Sequence, residues 1–160
     1  MCIRDRKGGK HIEIQVARDA YGNCIHLFER DCSSQRRYQK VLEEAPALSI
    51  PQVTKQKMYK AAIDIANKID YQSLGTIEFI VDVQSNRSDP PFFFLEMNTR
   101  LQVEHPVTEE ILNMDLVELQ INIALGKSLN IDSNKVMPRG HAIEARIYAE
   151  DAKNLSLIHI

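Results

Sequence analysis

Residues 11–16 (HIEIQV) alternate between polar and apolar side chains without a break. Successive strand side chains point to opposite faces, so this alternation predicts a half-buried strand. Gly22-Asn23 follows as a turn signal, and residues 24–28 alternate less cleanly after it; together they predict a hairpin. Residues 29–46 are polar and crowded with Arg36, Arg37 and Lys40, which predicts a loop, or a short helix around 33–40. The period then changes. Over residues 54–69, Met58, Ala61, Ala62, Ile65 and Ile69 recur at helical spacing, with Lys55, Lys57, Lys60 and Lys68 on or near the other face, read as solvated. Thr54 is the candidate N-cap. Residues 75–83 and 92–98 predict two antiparallel strands joined by a turn-rich connection over 84–91. Asp115 and Glu118 have the spacing of a capping box, residues 116–125 carry a helical pattern, and Gly126 stands where a helix would stop. Pro138-Arg139-Gly140 breaks the chain before a last alternating strand over 141–149.

Strands, helix, strands, helix, strand: this order predicts an α+β fold, an antiparallel sheet with helices on one side. With 160 residues, the chain has about one domain's length, and 44% apolar against 26% charged residues is enough to build a core. The formal charge of −2 gives no global field toward nucleic acid or an anionic membrane, and no apolar run approaches the ~20 residues that span a bilayer. Neither partner is expected. Cys2, Cys24 and Cys32 form no CxxC or His/Cys metal spacing, which fits a reducing compartment. Residues 1–6 (MCIRDR) lack both period and turn chemistry, and 155–160 (LSLIHI) begin an abrupt apolar tail. Both are read as non-native, leaving 7–154 as the domain; the alternative at the second end is a genuine terminal strand.

Period two puts Glu96 and Asn98 on one face of their strand, and Thr76, Glu78, Ile80 and Asp82 on one face of the earlier strand, opposite Phe79 and Val81. A carboxylate inside GTIEFIVDV or FFFLEMN is costly unless it is paired or metal-bound. Glu78, Glu96 and the amide oxygen of Asn98 offer an all-oxygen set, which hard ions such as Mg²⁺ prefer. The alternative is that each Glu is a solvated residue on a one-sided sheet. Residues 99–108 (TRLQVEHPVT) concentrate Arg100, Gln102, Glu104 and His105 ahead of Pro106, which is read as barring a regular helix. Arg100 suits a carboxylate or bicarbonate, and Glu104 is a candidate base; the alternative is a surface loop with its own Arg–Glu pair. The basic cluster at 34–40 is read as phosphate or nucleic-acid contact, or as a solvated face. Arg146 beside Glu144 is read as a structural pair, and His11 as a strand-start surface residue.

Taken together, HIEIQV, ERDCSSQRRYQK, EEAPA, GTIEF, LEMNTRLQVEHPVTE and RGHAIEARIYAED resemble the biotin carboxylase family, from about Lys10 to Asp151. MNTRLQVEHP is highly specific, and its pairing with GHAIEARIYAED is similar to the α subunits of propionyl-, methylcrotonyl- or geranyl-CoA carboxylases. The resemblance implies an ATP-grasp fold, of which this chain is much of the C-terminal lobe, and ATP- and bicarbonate-dependent carboxylation of biotin through carboxyphosphate. It implies that Glu78 and Glu96, helped by Asn98, bind Mg²⁺ or Mn²⁺. Lys40, Arg100, Gln102, Val103 and Glu104 are implied around bicarbonate, with Glu104 as the base. Arg146 is implied at the ureido oxygen of biotin. His11, Gln35 and Tyr38 are implied at the nucleotide; many relatives have His at position 38, and tyrosine cannot carry its positive charge.

The implied partners are a biotin carboxyl carrier domain, a carboxyltransferase subunit and further copies of the chain. The implied compartment is the cytoplasm in bacteria or the mitochondrial matrix in eukaryotes. The family's lid and N-terminal domain would precede residue 7, and the carrier motif AMKM does not occur. Two rivals remain: another ATP-grasp ligase such as carbamoyl-phosphate synthetase, against which QVEHP and GHAIEARIYAED argue, and a domain that only binds nucleotide or another subunit.

Overall fold

The computed structural model describes residues 8–148 apart from Asn86 and Asn134, and the backbone of residues 150–151 and 156–157. The expected leader at 1–6 and most of the expected tail at 155–160 lie outside the described residues. Six strands form one antiparallel sheet, β1 (Lys10–Arg18), β2 (Cys24–Arg36), β3 (Gln39–Ala45), β4 (Ser73–Val81), β5 (Phe92–Asn98) and β6 (Ala142–Ala145), in the order β5-β4-β1-β2-β3-β6. β7 (Glu150–Asp151) and β8 (Ser156–Leu157) form a separate two-stranded ribbon. The helices are α1 (Gln52–Lys68), α2 (His105–Leu112) and α3 (Leu116–Ala124).

β1 is central and buried on both faces, not half-buried as its alternation predicts. Ile12, Ile14 and Val16 pack with Met58, Tyr59, Ala62 and Ala66 of α1 and with Ile77, Phe79 and Val81 of β4. On the opposite face, Ala17 joins Ile25, Leu74 and the α3 residues Leu116 and Ile123. Helices therefore cover both faces of the sheet, which corrects the one-sided expectation. Each fully buried Ile or Leu here contributes ~1.5–3 kcal/mol relative to exposure. The second face changes character along its length. It is apolar where α3 lies, but Glu13 and Gln15 on β1 and Thr76 and Glu78 on β4 carry it toward the other end as buried polar groups.

The polar stretch 29–46 is a β2–β3 hairpin, not a loop or helix. Its turn places Arg37 and Tyr38 at φ 53° and 66°. Two consecutive left-handed residues match the twist of a hairpin but usually carry Asn-Gly, so the sequence showed no turn signal. Residues 105–112 also depart from expectation. Pro106 stands in the first turn of α2, where its missing N–H breaks no helical hydrogen bond, so it starts the helix. Thr54 is inside α1, with Pro51 at the N-cap, and its hydroxyl donates to Asp89 at 3.2 Å. Lys55 is buried against Glu29 at 2.6 Å rather than solvated. The Asp115 cap holds: its carboxylate accepts from the Glu118 N–H at 2.7 Å. The last strand is shorter than 141–149, ending at Ala145.

Candidate active site

Strand register builds a row of carboxylates. Glu13 lies opposite Glu78, and Glu78 opposite Glu96, across β1, β4 and β5. Like charges in direct cross-strand register repel, so the row needs cations. Lys40, just past the β2–β3 turn, reaches in from β3. Its ammonium meets Glu13, Glu78 at 2.9 Å and Glu104 at 2.6 Å. From below, the fully buried Arg30 binds Glu13 and donates to Gln15 (2.8 Å), Thr108 (2.9 Å) and Thr76 (3.2 Å). One guanidinium thus ties β2 to β1, β4 and α2, and fixes the site floor.

Glu78 gathers four side-chain partners. It accepts from Asn98 Nδ2 (2.9 Å), Gln102 Nε2 (3.0 Å) and Lys40, and meets His11 Nε2 at 2.6 Å. Burial pushes its carboxyl up, but the His11 bond and the Lys40 charge outweigh burial and hold it at about 2. Gln35 Nε2 lies 2.6 Å from His11 Nδ1. His11 thus bridges Gln35 and Glu78 through its two ring nitrogens.

Glu104 occupies the N-cap position of α2 and is 1% exposed. Its two oxygens accept from Lys40 (2.6 Å) and from Arg146 Nη2 (2.6 Å). Burial raises its carboxyl, Lys40 lowers it, and the balance is downward, so it stands ionised. The loop-pair alternative, Arg100 with Glu104, is not what forms: the exposed Arg100 guanidinium donates to Leu101 O at 3.2 Å. The predicted pairing of Arg146 with Glu144 is replaced by contacts to Glu104 and Glu43.

The residues that the family resemblance implies all line one cleft of about 840 Å³: Glu104, Arg146, Arg100, Lys40, His11, Gln35, Tyr38, Gln102, Val103, Glu78, Glu96 and Asn98; His105, singled out with them in the same loop, does not. His11 is therefore a cleft residue, not a surface strand start. Tyr38 stands at the hairpin turn, 81% exposed. Sequence reasoning missed Glu13, Arg30 and Glu43, all 0% exposed. A charged residue between Ile12 and Ile14, and the ERD run at 29–31, were the available signals.

The donor set fits a hard divalent ion: the carboxylates of Glu78 and Glu96 on neighbouring strands, with the Asn98 amide beside them. Among the described residues, the tight groups of possible ligands are His11–Glu13–Glu78 and Glu13–Cys32–Glu104; neither contains Glu96. Burial pushes the Cys32 thiol well up, away from the thiolate that a soft metal needs. No helix among the described residues is long and apolar enough to cross a membrane.

The chain is similar to known proteins in sequence and in fold. The chain is 54% identical to biotin carboxylase 2 of Bacillus subtilis (strain 168) over 144 residues, covering 90% of this chain and 31% of that protein. It is 52% identical to the mitochondrial methylcrotonoyl-CoA carboxylase subunit alpha of Arabidopsis thaliana, covering 89% of this chain and 19% of that one. It superposes, with a TM-score of 0.85 and 46% identity, on the biotin carboxylase domain of Hydrogenobacter thermophilus 2-oxoglutarate carboxylase, a dimer in complex with MgADP, ADP and bicarbonate. That match covers 93% of this chain and 32% of the other. The fold is thus that of part of the biotin carboxylase ATP-grasp domain, and the chain spans about a third or less of the relatives it matches. The family described as the carbamoyl-phosphate synthase L chain, ATP binding domain, matches residues 4–132. Its description names the rival raised from sequence, whereas the relatives above are carboxylases, and to that family the chain belongs.

Proposed function

We propose that this chain carries the bicarbonate- and metal-binding part of a biotin carboxylase, with residues 7–154 forming part of its ATP-grasp domain. The observation that carries the reading is Glu104, buried, ionised and held between Lys40 and Arg146. That arrangement suits two half-reactions. In the first, Glu104 accepts the bicarbonate proton as the bicarbonate oxygen attacks the γ-phosphorus of ATP; carboxyphosphate forms and ADP leaves. Phosphoryl transfer is governed by positioning and charge neutralisation, and Lys40 and Arg100 supply cations where negative charge collects. Gln102 and Val103 form the bicarbonate wall, and His11, Gln35 and Tyr38 face the nucleotide. Mg²⁺ or Mn²⁺ held by Glu78, Glu96 and Asn98 supplies neutralisation of the ATP phosphates.

In the second half-reaction, the phosphate released from carboxyphosphate takes the N1 proton of biotin. N1 then attacks the carbon dioxide set free, and Arg146 holds the enolate-like ureido oxygen. The relative solved with bicarbonate and MgADP supports bicarbonate and an adenine nucleotide at the site. The names of the relatives support a carrier domain and a carboxyltransferase as partners, and bacterial cytoplasm or mitochondrial matrix as the compartment. A homo-oligomeric whole enzyme is part of the same reading.

The test is a pair of substitutions in the full-length enzyme, with free biotin as acceptor. Glu104→Gln abolishes both bicarbonate-dependent ATP cleavage and carboxybiotin formation, by about a hundred- to thousandfold. Arg146→Ala keeps appreciable ATP cleavage and loses most carboxybiotin. Equal losses of both activities in Arg146→Ala would overturn this division of labour.

A further inference from the structure

Behind Arg146 lies a second carboxylate that no step above uses. Arg146 follows the last residue of β6, and its backbone N–H donates to Val41 O at 2.9 Å. Its guanidinium divides between two acids, with Nη2 2.6 Å from Glu104 and Nε 3.0 Å from Glu43 Oε1. The first contact is a well-formed hydrogen bond. The second is close but misaligned: Arg146 Nε and both Glu43 oxygens have no hydrogen-bond partner among the described residues. Glu43 is nonetheless 0% exposed. Directly across the β3–β6 pair stands Glu144, whose Oε2 is also buried and unpartnered.

A buried carboxylate that accepts no hydrogen bond costs several kcal/mol of unrecovered desolvation. Its value to the fold is therefore low, and its position beside the biotin-facing arginine calls for another account. We propose that Glu43 is a positioning residue, holding Arg146 at the cleft through the turnover in which Glu104 gives up its charge. This rests on the reading of the site as a biotin carboxylase.

While Glu104 is ionised, it grips Arg146 through Nη2. Once Glu104 has taken the bicarbonate proton, that grip weakens, at the moment when the guanidinium must meet the ureido oxygen. Glu43, on the Nε side, leaves the two terminal nitrogens free to face the cleft while keeping the arginine from swinging out to solvent. Acid is in surplus here. Burial, and then Glu104 and Glu144, push the Glu43 carboxyl up against the pull of Arg146. Neutralising Glu104 removes one of those opposing charges and strengthens Glu43 as the counter-ion.

The experiment is Glu43→Gln in the full-length enzyme, which keeps the side chain's size and removes its charge. Carboxybiotin formed per ATP cleaved falls by about tenfold, chiefly through a raised KM for biotin, because the arginine is misplaced rather than lost. The melting temperature is unchanged or rises, because a buried carboxylate without hydrogen bonds is gone. Glu44→Gln serves as the control: that neighbour points to the opposite face, 3.4 Å from His141, and its replacement leaves the ratio unchanged. A wild-type ratio and KM in Glu43→Gln would overturn the proposal, as would equal losses of both activities with a lowered melting temperature. If the wild-type enzyme itself carboxylated no biotin, the functional reading would fail first, and that outcome is seen before any variant is compared.

Discussion

Lys40 is the residue on which the site's electrostatics turn. It is mostly buried, and its ammonium is shared among Glu13, Glu78 and Glu104. Removing one partner of a buried ion pair leaves the others uncompensated, which costs ~3–5 kcal/mol. Lys40→Met is expected to lower unfolding free energy by about that much in chemical denaturation; a loss within ~0.5 kcal/mol, as for a surface change, would show that the carboxylates are already neutralised by other means. Glu96 plays a different part. Glu96→Gln removes charge from one hard oxygen ligand, so bicarbonate-dependent ATP cleavage falls and its Mg²⁺ titration moves to higher concentration. An unchanged titration and turnover would remove Glu96 from the metal shell. At this scale the sequence was legible where a charge interrupts an oily run, as at Glu78 and Glu96. Glu13, Arg30 and Glu43 were missed, the first two in spite of a local signal. Alternation in β1 reads as one polar solvated face, and only the helices packed on that face make the polar groups internal.

The elements show the same division between local and tertiary information. The α1 and α3 periodicities and the Asp115 cap are local, and they form where the pattern puts them. The turn at Arg37 and Tyr38 carries no glycine or asparagine, so its left-handed backbone is imposed by the pairing of β2 with β3. Pro106 was misread because its effect depends on its position: the residue that ends a helix from within also begins one from its first turn. A further element contact has a measurable consequence. Asp19, at the β1–β2 turn, accepts backbone N–H bonds from Tyr21 and Asn23 (both 2.9 Å) and from Leu129 (2.7 Å), joining the turn to the segment after α3. Burial raises its carboxyl, but the bonds from Leu129 and Asn23 outweigh burial and hold it at about 2, below the usual 3.8. A depressed folded value stabilises the fold above the unfolded value and is lost as pH falls through the folded one. Asp19→Asn is thus expected to lower the melting temperature of the enzyme at pH 6, with the gap to wild type narrowing between about pH 4 and pH 2. A constant gap across that window would mean the carboxylate charge contributes nothing.

At the scale of the whole molecule, the cleft is open to one side and built by a chain about a third as long as its carboxylase relatives. The proposed reaction also needs exclusion of water and closure over its substrates. Residues 7–154 produced alone are expected to hydrolyse no ATP in response to biotin, because this cleft by itself does not close over its substrates, and to be poorly stable, because apolar side chains such as Val117, Ile121 and Leu125 stand exposed. Robust biotin carboxylation by that segment would contradict the domain boundaries. The matching family is described by a carbamoyl-phosphate synthase while the relatives are biotin-dependent carboxylases, so the identity of the carboxyl acceptor decides the account. The most direct measurement supplies the full-length enzyme with ATP, Mg²⁺, isotopically labelled bicarbonate and free biotin, with and without ammonia. The account predicts label in carboxybiotin, formed in step with ADP and unaffected by ammonia. Label in carbamoyl phosphate, with none in biotin, would contradict it.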